Sequence, residues 1–216
     1  MPAASKGSGI ELLSVKQLSD LSAVSSNGDD PAPYQLIVGW IRSYLANAHP
    51  DLGRSGAVCP YSGQALRLDT VRIGISAADG HDVASIESDM NRCLREFDKI
   101  PCADSMKHFR TIIVGFPNIE DAAGLDALKQ VQARLRFRIL LKGLMIGRFY
   151  PSSNDPGLWN REFRPLRSPI PMLAIRHMVA SDLPFAARHP LMFPSYFWKH
   201  VVKPNAKRLF PTLVKH

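Results

Sequence analysis

One cysteine stands in a loop whose composition favours an accessible thiol. The segment from Gly53 to Tyr61 reads Gly-Arg-Ser-Gly-Ala-Val-Cys-Pro-Tyr, so Cys59 precedes a proline in a stretch that glycine and proline punctuate. Arg54 would favour the thiolate, the form that attacks electrophiles and binds metals, including heme iron as an axial ligand. Cys59 is therefore a candidate catalytic residue and a candidate metal ligand. The alternative is a buried, inert cysteine beside a turn proline.

A second segment is rich in arginine and stiffened by proline. It runs from Leu158 to Pro169 and leads into a β-rich run. Guanidinium groups bind carboxylates and phosphates through two parallel hydrogen bonds, and a proline-fixed backbone lowers the cost of ordering them. The candidate substrate-binding residues are Arg54, Trp159, Asn160, Arg164, Arg167 and Arg176. The alternative is a solvated basic loop.

Arg176 and His177 are adjacent in a segment with a strand pattern, so their side chains point to opposite faces of a sheet. Both are candidate catalytic residues, but one cleft can take only one of them. If helices cover the face that carries His177, this histidine is buried, and a hydrogen-bonded structural role becomes the commoner interpretation. Arg176 then lies on the open face.

A third segment, from His189 to His200, is dense in aromatic and sulfur-containing side chains. Such residues line apolar cavities for flat ligands, and His189 is a candidate metal ligand there. The alternative is a C-terminal helix that packs its aromatic side chains against the sheet. The basic segment that follows contains two prolines and no recognised nucleic-acid-binding module, so nucleic-acid binding is not expected.

Charge is unevenly distributed along the 216 residues. The net charge is +8, but residues 132–216 carry +12 and residues 1–131 carry −4. A concentrated excess of this kind predicts an anionic partner or substrate. No stretch has the length of a membrane span, and the N-terminus lacks the features of a signal peptide, so no membrane association is expected. Three cysteines without CxxC spacing argue against a disulfide framework, and a cytoplasmic location is expected.

Helices and strands alternate along the part of the chain that must position these residues. Periodicity predicts a helix over 34–48, a strand over 70–75, a helix over 82–97 and a strand over 109–116. It then predicts a helix over 119–141 and strands over 144–150 and 171–179. We expect an α+β fold resembling a ferredoxin-like sandwich, with a mainly antiparallel sheet of about four strands, two long helices on one face and extra terminal helices. A doubly wound parallel sheet is the runner-up.

The expected domain organisation has three parts. Residues 1–33, rich in Ser, Gly, Ala and Asp, read as a flexible leader with a short helix near Ser14–Ala23 as an alternative. Residues 34–202 form a single α+β domain, and residues 203–216 form a basic C-terminal tail.

Two boxes resemble an uncharacterised family of small bacterial proteins of secondary metabolism. They are GRxGxVCP, at Gly53 to Pro60, and RSPxPxxAxRHM, at Arg167 to Met178. An early Cys-Pro-aromatic box and a late His-Pro box are also similar to the YqcI/YcgG-type proteins, which include a heme enzyme that cleaves hydroxyarginine. This second resemblance implies heme b and oxidative or N–O chemistry, and it leaves the iron ligand open between Cys59 and a histidine such as His189.

Together these features predict an enzyme of bacterial specialised metabolism that acts on a small anionic, amino-acid-like substrate, with heme-dependent oxidoreductase or lyase chemistry as one form. The alternative is a non-catalytic module that binds an acidic partner such as a carrier protein through the basic second half. The oligomeric state stays open, with a homodimer as one alternative.

Overall fold

A computed structural model describes residues 10–20, 30–179 and Asp182. Its strands and α-helices are β1 (Leu13–Ser14), α1 (Ala32–Trp40), α2 (Ser62–Arg67), β2 (Val71–Ile75), α3 (Val83–Glu96), β3 (Thr111–Gly115), α4 (Ala122–Leu141), β4 (Leu144–Phe149) and β5 (Met172–His177). A π-helical turn, Ile41–Leu45, continues α1, and 3-10 turns span Gln17–Ser19, Pro50–Leu52, Phe97–Lys99 and Asp104–Phe109. The fold is mixed α+β, as the alternating patterns predict.

The strands form one five-stranded mixed sheet in the order β1-β2-β3-β5-β4. β2 and β3 are parallel because α3 crosses between them, and the other neighbouring pairs are antiparallel. β5 lies between β3 and β4, which places Arg176 opposite Thr111 on one side and Met145 on the other. The ferredoxin-like arrangement is not confirmed, because a helix follows both β2 and β3 and one pair of strands is parallel.

The two long helices cover one face of the sheet. α3 begins at the N-cap Asp82, which accepts a hydrogen bond from Ala84 N, and α4 begins at Asp121, which accepts one from Gly124 N. α4 ends before Gly143, which adopts φ +67°. The core beneath the helices contains buried side chains from all of these elements: Ile86, Met90, Leu94, Ile112, Val114, Leu128, Val131, Leu135, Ile139, Leu173 and Ile175.

Within the described ranges, the opposite face of the sheet is only partly covered. α1 and its π turn pack Ile37 and Ile41 against the β2–β3 half of this face. The alternation of strands β4 and β5 turns Met145, Phe149 and Arg176 to the same face. Over these residues the described part of the chain leaves a concave space.

Residues 10–20 differ from the flexible leader predicted for residues 1–33. β1 pairs antiparallel with β2, and Leu13 and Val15 are buried. Gly74 makes room for this segment, because a Cβ at Gly74 would lie 2.8 Å from the Ile10 side chain. The alternative of a helix near Ser14–Ala23 is also not observed over its described part, which contains the 3-10 turn Gln17–Ser19.

Further outcomes concern the residues after the cysteine loop and those at the C-terminus. The glycine- and proline-punctuated segment that carries Cys59 is followed directly by helix α2, which the sequence patterns do not indicate. The predicted C-terminal helices and the basic tail lie outside the described residues. Within residues 10–20, 30–179 and 182, no helix combines the length and the apolar character that crossing a membrane requires.

Candidate functional site

A cavity of about 1010 Å³ opens over the uncovered part of the sheet and around strand β4. Cys59, Tyr61 and Arg54 line it from the loop after α1, and Arg176 lines it from β5. Its apolar walls include Trp40, Ile41, Leu45, Val58, Ile113, Met145, Phe149, Leu158 and Leu166. The size matches the upper end of the roughly 300–1,000 Å³ usual for ligand sites, which are mostly apolar with a few placed polar groups.

The loop that carries Cys59 is held in place by its own arginine. The Arg54 guanidinium donates hydrogen bonds to the carbonyls of Ser55 at 2.9 Å, Ala57 at 2.8 Å and Val58 at 3.1 Å. Cys59 N donates to Leu45 O at 2.8 Å, which ties the loop to the end of the π turn. The thiol therefore sits on a fixed backbone rather than on a free loop.

The loop after β4 closes against the cysteine loop. Gly53 adopts φ +76°, and a Cβ there would lie 3.0 Å from the carbonyl carbon of Trp159. Asn160 Nδ2 donates to Asp51 O at 2.8 Å. Trp159 lines the cavity but remains 64% exposed. Asn160 thus joins two loops, and Trp159 lies at the edge of the cavity.

Arg176 forms a bidentate ion pair with Asp182. Its Nη1 and Nη2 donate to the two carboxylate oxygens at 2.9 and 2.6 Å, and the Asp182 side chain is 3% exposed. Asp182 also accepts a hydrogen bond from Val179 N at 2.8 Å. Burial lowers the pKa of Arg176, but the hydrogen bonds and charge of Asp182 raise that pKa by more, so it lies above its usual value.

Cys59 and Tyr61 stand close to this ion pair. The Arg176 guanidinium carbon lies 6.0 Å from the centre of the Tyr61 ring. The charges of Cys59 and Tyr61, when ionised, contribute to raising the pKa of Arg176. A thiol, a phenol and a guanidinium therefore meet in one cavity, and these groups can act as nucleophile or metal ligand, as acid or base, and as anion-binding group.

Three of the predicted substrate-binding residues lie elsewhere. Asn160, Arg164 and Arg167 line a separate open groove of about 1180 Å³ between α1 and the loop over 160–169. The Arg164 side chain donates to the carbonyls of Arg161 and Phe163, and Arg167 Nε donates to Ser153 O at 3.1 Å. Burial in this groove raises the pKa of Tyr44, and the charge of Arg167 opposes that rise.

Of the two histidines predicted for the site, His177 is described and does not line the cavity. His177 lies on the face that α3 and α4 cover, with its ring 5.2 Å from Phe97, as its alternation with Arg176 predicts. His189 lies outside the described residues. Within the described ranges, no three His, Cys, Asp or Glu side chains converge as a set of metal ligands.

Tyr61 and Asp182 line the cavity but were not among the predicted site residues. Tyr61 follows the Cys-Pro pair directly, so its position in the same loop was the available signal. Asp182 is one of three acidic residues in the basic second half, six positions after Arg176. A lone acid so near an arginine indicates pairing, but sequence does not show that the chain folds back to bring them together.

A comparison with family models finds one that covers most of the chain. The model described as "Domain of unknown function (DUF6875)" matches residues 34–208. The chain belongs to this family. The DUF6875 match begins within α1 and includes β2 to β5, so both loops that line the cavity are part of the family's domain. A comparison with curated proteins found no match, and neither did a comparison with solved structures.

Proposed function

We propose that this DUF6875 protein is an enzyme of specialised metabolism that converts a small anionic, amino-acid-like substrate in the Cys59 cavity. The observation that carries the proposal is the meeting of Cys59, Tyr61 and Arg176 in one largely apolar cavity. Cavities of this size with a few convergent polar groups are the usual form of a small-molecule site. The arginine-rich second half supports an anionic substrate.

Arg54 and Arg176 are the proposed carboxylate-binding groups. Arginine has five N–H donors, and the contacts of Arg176 with Asp182 and with His177 O use three of them. Asp182 neutralises the charge of Arg176, whereas Arg54 forms no ion pair with any residue in the described ranges. The three carbonyls that accept from Arg54 are neutral, so Arg54 keeps a positive charge beside Cys59, and Arg176 supplies directed donors.

Cys59 is the proposed reactive group, either as nucleophile or as axial ligand of heme b. The donor set fits the cofactor, since a cysteine on a fixed loop faces an apolar cavity that also presents arginines for carboxylate side chains. Bound there, heme b would supply oxidative or N–O chemistry. Arg164, Arg167 and Asn160 would then contribute to loop geometry more than to substrate binding, because they line the other groove.

Hemin titration followed by visible absorbance tests the cofactor arm. We expect a Soret band in the wild-type protein, its loss or shift in Cys59→Ser, and no change in Cys102→Ser, since Cys102 does not line the cavity. The absence of any hemin-induced band in wild type would remove heme from the proposal. An unchanged band in Cys59→Ser would remove Cys59 as the ligand.

Thermal-shift titration with α-amino acids and their N-hydroxy derivatives tests the substrate arm. We expect at least one compound to stabilise the wild-type protein, with affinity reduced at least tenfold, about 1.4 kcal/mol, in Arg54→Gln. Arg67→Gln is the matched control, because Arg67 is exposed on α2 and does not line the cavity. Equal affinity in the two variants would contradict the role of Arg54.

A further inference from the structure

The outward face of α4 carries two apolar side chains one helical turn apart. Phe137 is 57% exposed and Leu141 is 72% exposed. They are two of the four large apolar residues that stand exposed in the described part of the chain. Single exposed apolar side chains are normal, but a neighbouring pair at i and i+4 forms a continuous patch, and rimmed patches mark interaction surfaces.

Basic residues flank this pair on one side of the helix. Along the exposed positions of α4 and at its C-terminus, Arg134, Arg138 and Lys142 follow the same helical stripe, and no acidic residue follows Asp126 in the helix. We call Phe137, Leu141 and these three cations the α4 face. A positive stripe beside an apolar one fits a partner helix whose apolar stripe is flanked by carboxylates.

The central cation of the α4 face is held in position. Arg138 Nη1 donates to Asn91 Oδ1 of α3 at 2.9 Å, so its guanidinium is oriented by a neutral partner and keeps its full charge. Arg134 instead pairs with Glu87 at 3.2 Å. A guanidinium that is already ordered loses less conformational entropy when it binds a carboxylate, so Arg138 has the geometry of an anchor.

We propose that the α4 face docks an acidic amphipathic helix of a partner protein. Its apolar side chains would contact Phe137 and Leu141, and its carboxylates would contact Arg138 and Lys142. A protein partner fits better than a lipid surface, because membrane-binding helices bury a broad apolar face, whereas here two apolar side chains stand among oriented arginines. Other side chains of α4, including Arg136 and Ile139, line the Cys59 cavity near β4, whereas the α4 face points to solvent.

Fluorescence anisotropy with a labelled acyl carrier protein, a small acidic helical protein, tests the proposal. We expect salt-sensitive binding that weakens at least tenfold in Arg138→Glu and in the double variant Phe137→Ala with Leu141→Ala. Arg42→Glu is the matched control, since Arg42 is an exposed arginine on the π turn, which packs on the other face of the sheet. Cys59→Ser should bind normally, which separates docking from the proposed catalysis.

Three results would overturn the docking proposal. The first is no measurable binding of the carrier protein at low salt. The second is equal loss in Arg138→Glu and Arg42→Glu, which would indicate a nonspecific charge effect. The third is binding to anionic phosphatidylserine vesicles with the same dependence on Phe137 and Arg138, which would assign the α4 face to a membrane. Unchanged thermal unfolding of each variant checks that the fold is intact.

Discussion

Replacement of Asp182 by Asn tests whether the ion pair with Arg176 holds the floor of the cavity. The carboxylate accepts two hydrogen bonds from Arg176 and one from Val179 N, and it is 3% exposed. Breaking a buried pair by removing one partner costs about 3–5 kcal/mol. Because the Arg176 side chain is 25% exposed and water can reach it, we expect the lower end, about 3 kcal/mol.

Differential scanning calorimetry measures this loss. For a domain of this size, 1 kcal/mol lowers Tm by roughly 2–4 °C, so Asp182→Asn should lower it by about 6–12 °C. Glu96→Gln is the control, since it removes an exposed pair in which Lys99 Nζ lies 2.8 Å from Glu96, and exposed pairs contribute about 0–1 kcal/mol. Equal Tm changes in the two variants would refute the reasoning.

A double variant separates the charge from the packing. Arg176→Met combined with Asp182→Leu removes both charges of this pair and leaves neither one buried alone, so it should recover most of the stability that Asp182→Asn loses. If the double variant is less stable than Asp182→Asn, the side chains matter for their shape and hydrogen bonds rather than for charge balance. The double variant should also weaken binding of an anionic ligand in the cavity, because it removes the Arg176 guanidinium that lines it.

Two further predictions concern backbone fit and a buried thiol. Gly80 adopts φ +89° and a Cβ there would overlap Gly124 Cα, so Gly80→Ala should lower the free energy of unfolding in urea by at least about 2 kcal/mol. Gly39 lies in α1 with open space around it, so Gly39→Ala should raise the free energy of unfolding by about 0.5–1 kcal/mol. Similar values for both variants would contradict the close approach of Gly80 to Gly124. Burial raises the pKa of Cys93 from 9.0 to about 12, so above pH 9 the unfolded state releases a proton that the native state keeps, and stability should fall by up to about 1.4 kcal/mol per pH unit. Cys93→Ala should lack this contribution to the slope, and an identical pH dependence in both proteins would show that the Cys93 thiol is not responsible.

The mixed α+β class and most of the helices and strands were predictable, because each of these elements depends on a local sequence pattern, but the topology of the sheet was not. The periodicity of α3 and α4 predicts both helices, over 82–97 and 119–141, and the structure has them at Val83–Glu96 and Ala122–Leu141. Strand order was harder, because the antiparallel insertion of β5 between β3 and β4 depends on contacts far apart in sequence. β1 was missed for the same reason, since two residues have no detectable period and gain their structure only by pairing with β2.

The candidate site was predictable only in part. The Cys-Pro loop and the alternation of Arg176 with His177 follow from local rules, and the structure places Cys59 and Arg176 in one cavity and His177 on the other face. The prediction of one arginine cluster assumed that nearby arginines share a pocket. Instead, the loop over 157–169 has two sides, with Trp159 facing the cavity and Arg164 facing the groove.

The composition of this loop has a physical reason that differs from anion binding. Proline carries a carbonyl but no N–H, so a segment with four prolines between positions 151 and 169 has more main-chain acceptors than donors. Arginine side chains supply the missing donors, as Arg167 does for Ser153 O and Arg164 for Phe163 O. Arg54 does the same in the Gly/Pro-rich cysteine loop.

In a loop rich in arginine and proline, the arginines can bind an anion or donate to backbone carbonyls, and the sequence does not distinguish the two roles. One substitution distinguishes them. Arg167→Lys keeps the charge but loses the planar guanidinium geometry that reaches Ser153 O. If Arg167 serves the backbone, this variant should lose about 1 kcal/mol of stability and leave ligand affinity in the Cys59 cavity unchanged. If Arg167 instead binds an anionic substrate, the variant should lose ligand affinity, and the midpoint of its urea unfolding should equal that of the wild type. Measuring both quantities on one preparation decides between the two.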